Sequence, residues 1–181
     1  DDFLNILILL YIGKGKMVEK DKVFEGKVKH TGIVDFKELY NYSYTWLVDN
    51  DYFIIEKKYE EKIKGDGKEI EITWIAFRKI SDYFRFMLKI DWRVILTPVE
   101  VEKGGKVSKA DKAYVEIKIT GILEKDYEHR WENYPLFKFL RGVYDKYIIR
   151  ARIQDYEEKI YTEIEDLRGQ IKSFLALTGK S

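Results

Sequence analysis

From Tyr83 to Ile95 the side chains alternate: Phe84, Phe86, Leu88, Ile90, Trp92 and Val94 stand against Arg85, Lys89, Asp91 and Arg93. A period of two sends successive side chains to opposite faces of an extended chain, so this stretch reads as a strand with one apolar and one wet face. A sheet with such a face must bury it, which obliges the rest of the chain to supply a cover.

The pattern recurs on both sides. From Lys22 to Ile33, Phe24, Gly26, Val28, His30 and Gly32 alternate with Glu25, Lys27, Lys29 and Thr31. A second strand, Tyr52 to Ile63, is read with Phe53, Ile55, Tyr59 and Ile63 on one face, and Gly65-Asp66-Gly67 after it is a hairpin turn signal. A third, Ile70 to Ile80, carries Ile70, Ile72, Trp74 and Ala76 inward. Ile75 and Phe77 add apolar groups to its second face, so part of that face is expected to be covered. Val99 and Val101 suggest a short fifth strand, and Gly104-Gly105 opens a polar loop through Asp111. A last strand points Ala113, Val115, Ile117, Ile119, Gly121 and Leu123 inward. Short turns join these strands, so neighbours pair antiparallel.

Two segments change period. Asp35 is placed as an N-cap with Glu38 three residues on, and Phe36, Leu39, Tyr40, Ser43, Tyr44 and Leu47 follow at helical spacing. After Pro135, apolar residues recur at Leu136, Phe139, Leu140, Val143 and Tyr147, then at Ile153, Ile160, Ile164, Leu167, Ile171 and Phe174. That is a narrow stripe along a long helix, bent near Gly142 or near Arg150 to Arg152, with Gly179 as a stop signal. The expectation is an α+β domain over residues 17–181: a curved antiparallel sheet of about six strands wrapped around a long C-terminal helix.

This order, carried by the alternating strands from Phe24 to Leu123 and the stripe from Leu136 to Phe174, resembles the helix-grip arrangement of START-like lipid and hormone carriers and polyketide cyclase relatives. It is also similar to the layout of small uncharacterised archaeal proteins. The helix-grip resemblance implies a cavity between sheet and helix for an apolar small molecule. Tyr59, Trp74, Phe86 and Trp92 would then be its aromatic wall and His30 a polar anchor or general base. The plainer reading of the aromatics is core packed directly on the helix, and that of His30 is a histidine satisfied by backbone.

The charges nearly cancel, 33 basic against 32 acidic. Such a balance argues against a general nucleic-acid binder and against a polybasic membrane tether. No cysteine is present, which removes disulfides and thiolate chemistry and fits an intracellular, cytoplasmic chain. Lys, Glu, Ile and Tyr are abundant, as in AT-rich or heat-adapted genomes. No phosphate-binding loop, HExxH or calcium-loop motif occurs, so no cofactor or metal is implied. Asp126 to Glu132 (DYEHRWE) gathers mixed polar groups, read as a solvated loop. Arg141, Lys146, Arg150 and Arg152 cluster among Tyr144 and Tyr147, a composition open to RNA or to plain helix solvation.

Phe3 to Ile12 is apolar but too short to span a bilayer as a helix. Residues 1–16 are read as an extension before a start at Met17, as an added element, or as the end of a longer membrane segment. The functional expectation is a binding domain rather than an enzyme. The alternatives are an assembly protein using the Ile153–Phe174 stripe, an RNA- or ribosome-associated factor, and a cyclase or hydrolase with His30 as base.

Overall fold

The computed structural model describes residues 19–103, 106–128, 139–140 and 142–178. Five strands and two helices follow in order: β1 (Glu19–Ile33), α1 (Phe36–Asp49), β2 (Phe53–Lys64), β3 (Gly67–Lys79), β4 (Phe84–Lys103), β5 (Lys106–Lys125) and α2 (Arg150–Thr178). They form one open antiparallel sheet in the order β1-β5-β4-β3-β2. The chain is α+β as expected.

Among the described residues the strand count is five, not six. The separate fourth and fifth strands of the sequence reading are one 20-residue strand, β4, with Pro98 inside it. Proline is tolerated there because β3 pairs with β4 only as far as Leu96, leaving Pro98 a strand neighbour on one side alone. The polar stretch after Gly104-Gly105 is not a loop either. Lys106 pairs with Lys103, and the two strands run on past both neighbours as a ribbon. Gly104 and Gly105 themselves lie outside the described residues.

The inner face is the core. Ile70, Ile72, Trp74 and Ala76 of β3, Phe86, Leu88, Ile90 and Val94 of β4, and Ala113, Val115, Ile117, Ile119 and Leu123 of β5 are buried there. The β2–β3 hairpin turns at Gly65, whose φ of +58° favours glycine. A bulge between Glu56 and Lys58 breaks the predicted face of β2. Phe53 and Ile55 pair with Phe77 and Ile75 on the outer face, whereas Glu56, Tyr59 and Ile63 pair with Trp74, Ile72 and Lys68 on the inner one. The outer apolar groups are partly covered by polar stems. Arg85 lies 4.5 Å over the Phe77 ring, and the Lys20 amine reaches the Met87 sulfur.

Asp35 caps α1 by accepting the Glu38 N–H at 3.0 Å, as its position predicted. Leu39, Ser43 and Leu47 form the buried face of α1. α2 presses Ile160, Ile164, Leu167, Ile171 and Leu175 into the core, packing chiefly on β1 and β5. The apolar stripe is thus largely consumed within the chain: of its ends, Ile153 is half-buried and Phe174 stacks on Tyr42 at 5.1 Å. An Arg78–Glu163 ion pair, the Tyr52 hydroxyl on Glu163 at 2.7 Å and the Arg78 guanidinium on the Asn50 carbonyl at 3.0 Å tie α2 to β3 and the end of α1. Before α2 the chain makes a π-helical turn, Tyr144–Ile148, in which the Ile149 N–H bonds to the Tyr144 carbonyl. This break in regular α-helix lies between the two positions expected for a bend. Residues 1–16, Pro135, Leu136 and Gly179 lie outside the described residues.

Candidate functional site

Where α1 crosses the β2 side of the inner face, aromatic rings gather. Phe36, Tyr40 and Tyr44 stand one turn apart on α1 and meet the tryptophans of the sheet. Tyr40 is 4.8 Å from Trp74 and Tyr44 is 6.1 Å from it, both edge-on. Phe36 is 6.5 Å from Trp92, and the two tryptophans, on paired strands, are 5.1 Å apart. Edge-to-face packing at these separations is favourable beyond simple burial.

The bulge in β2 delivers one charged group to this wall. Oε2 of Glu56 accepts from the Tyr40 hydroxyl at 2.8 Å and from the Trp74 indole N–H at 3.2 Å. Among the described residues Glu56 has no ion pair, although most carboxylates of the sheet have a lysine or arginine partner. Burial, then Glu56, push the Tyr40 phenol up to about 12, so it stays a neutral donor. Trp92 is buried, yet among the described residues its indole N–H has no hydrogen-bond partner.

A depression of about 420 Å³ is lined by Val34, Phe36, Leu96, Lys68 and Asp111; of the aromatic wall only Phe36 lines it. Its size falls within the range of small-molecule sites. A second hollow of about 290 Å³ lies among the outer charges Lys58, Glu71, Asp91 and Arg93.

Of the five residues singled out in the sequence, Trp74 and Trp92 come together. Tyr59 shares their face through its pairing with Ile72, but it is 51% exposed and its hydroxyl turns to Glu61 at 3.4 Å. Phe86 is buried farther along β4, against Arg78 and Tyr156. His30 is half-buried on β1, paired with Val115 of β5, which separates it from Trp92 and the rest of the wall. Its Nε2 has no partner among the described residues and lies beside Gly32. Phe36, Tyr40, Tyr44 and Glu56 were not singled out. The four-residue aromatic spacing on α1 was the available signal for the first three, and nothing in the sequence marks the bulge that aims Glu56.

Among the described residues no group of three or more metal-ligating side chains occurs, and no helix is long and apolar enough to cross a membrane. Of the polar stretch 126–132, Tyr127 donates to the Ser81 carbonyl at 3.0 Å and Glu128 faces Lys79 at 3.7 Å. His129 to Glu132 lie outside the described residues, as does Arg141. No protein-family model and no curated protein matches this sequence.

Proposed function

We propose that this chain is a non-catalytic binding domain that takes a small molecule with a hydrophobic body, entering at the depression beside Phe36 and resting against the Trp74–Trp92 wall. The observation that carries this reading is the buried, unpartnered indole N–H of Trp92 within that wall. A buried donor without an acceptor costs roughly 1–3 kcal/mol, and such exceptions call for a compensating role. A ligand carbonyl or hydroxyl would supply the acceptor, while the rings supply apolar contact.

The helix-grip resemblance lends support. The first strand pairs with the last, and helix side chains from both α1 and α2 meet the same sheet face. The charged groups near the wall are engaged in hydrogen bonds rather than set as an acid–base pair, which favours binding over catalysis.

Native mass spectrometry and tryptophan fluorescence against a panel of fatty acids, isoprenoids and sterols test the reading. The expected result is a stoichiometric adduct that quenches or shifts the tryptophan signal and weakens at least several-fold in Trp92→Phe and Phe36→Ala. Retention of full affinity by both variants, or no adduct with any member of the panel, overturns it.

A further inference from the structure

The stretch leading into α2 turns an apolar face outward. Phe139, Leu140, Val143 and Tyr147 are all exposed, Phe139 at 68% and Tyr147 at 70%. Residues 139, 140, 142 and 143 are helical, and the π turn continues them. Phe139 and Val143 are four residues apart and share one side of the helical stretch, and Tyr147 follows in the π turn. Lys146 lies beside Tyr147 in that turn and Arg150 opens α2, and both are exposed, as is Arg152 just beyond. The Lys146 amine sits 5.2 Å from the Tyr147 ring. The other side is anchored: Tyr144 is half-buried with its ring 6.5 Å from Tyr83, and Ile149 is buried. The fold therefore holds the apolar side outward. A contiguous exposed apolar cluster of this kind marks an interaction surface.

The chemistry of the face selects its occupant. A nucleic-acid strand would use the bases and aromatic rings but leave Leu140 and Val143 without a role. A lipid surface uses all of them: aliphatic and aromatic side chains enter the acyl boundary and basic ones hold the phosphates. The overall charge of +1 conceals this patch because Glu157, Glu158, Glu163 and Glu165 follow on α2.

We propose that the face formed by Phe139, Leu140, Val143, Lys146, Tyr147 and Arg150 docks on an anionic lipid surface, lying in the interface without crossing it. This inference stands apart from the ligand reading. Co-sedimentation of the full chain with vesicles of equal parts phosphatidylglycerol and phosphatidylcholine, set against phosphatidylcholine alone, tests it. The two basic side chains, Lys146 and Arg150, imply partition roughly thirtyfold stronger to the anionic vesicles. The double variants Phe139→Ser/Tyr147→Ser and Lys146→Glu/Arg150→Glu, with unchanged melting temperature because all four sites are exposed, are expected to lose most of that binding. A full chain that stays in the supernatant with both vesicles overturns the proposal. So do charge-reversed protein that sediments as well as the parent, tight salt-dependent binding of single-stranded RNA without vesicle binding, and a dimer in light scattering that Phe139→Ser/Tyr147→Ser abolishes.

Discussion

The Cδ1 atom of Ile164 on α2 occupies the space where a β-carbon on Gly121 of β5 would stand, and Ile160 closes the same gap from one turn earlier. The absence of a side chain on β5 is therefore what lets α2 settle onto the sheet, and Gly26 on β1 does the same for the Arg168 stem. Gly121→Ala is expected to overpack this contact and destabilise the protein by about 1–3 kcal/mol in urea melts. Ile164→Val removes the clashing atom, so the double variant is expected to be more stable than the sum of the singles by about 1 kcal/mol. Simple additivity would mean that the helix adjusts elsewhere.

The Arg78–Glu163 pair is the one mostly buried charge contact between α2 and the sheet among the ion pairs of the described residues. Glu163 also accepts from Tyr52, whose phenol is raised by burial and by that carboxylate. Glu163→Gln leaves the Arg78 guanidinium without its counter-charge between the Tyr52 and Phe86 rings. The expected loss is about 3 kcal/mol in thermal or chemical denaturation. Lys58→Ala, which breaks exposed pairs with Glu60 and Glu71, is expected to leave the melting temperature nearly unchanged.

These two contacts also mark how far the sequence could be read. The alternation in β4 and β5 identifies the inward residues because burial on one face forces a period of two, and the four-three stripe of α2 identifies its seam for the same reason. Pro98 misled because its tolerance depends on where β3 stops pairing, which is tertiary information. The bulge at Glu56/Lys58 shifts the phase of β2 by one residue, so Phe53 and Tyr59, both on the predicted face, end on opposite sides of the sheet. In the candidate site the two tryptophans were legible as inward residues. Their α1 partners were legible only as helix positions, and Glu56 could not be foreseen.

Glu69 on the outer face is held by Lys64 and Arg93, and these partners pull its carboxyl down to about 2 from an ordinary 4.5. A carboxyl lowered in the folded state binds its proton more readily when unfolded. Its contribution is therefore complete above pH 4.5 and fades as the pH falls toward 2. Glu25, Glu60, Glu61 and Glu116 are lowered by their own lysine or tyrosine partners and add to the same loss. Melting temperature is expected to drop across that window, and Glu69→Gln to flatten part of the drop. A variant that follows the parent's acid profile unchanged would place the sensitivity in the other carboxylates.

Glu56 joins two elements through one oxygen, with Tyr40 from α1 and Trp74 from β3 both donating to it. If that carboxylate helps keep the Tyr40 proton in place, removing its charge should release it. Glu56→Gln is expected to shift Tyr40 ionisation from about 12 back toward 10, read as phenolate absorbance in an alkaline titration against a Tyr40→Phe control. Because the phenol is raised in the folded state, its contribution to stability is present below pH 10 and is lost as the pH climbs through 12. Parent and variant should both begin to lose stability near pH 10, and the variant should lose less, because its loss ends at a lower pH. An unchanged Tyr40 titration in Glu56→Gln would mean that burial alone holds the proton, leaving the bulged carboxylate free to serve a ligand.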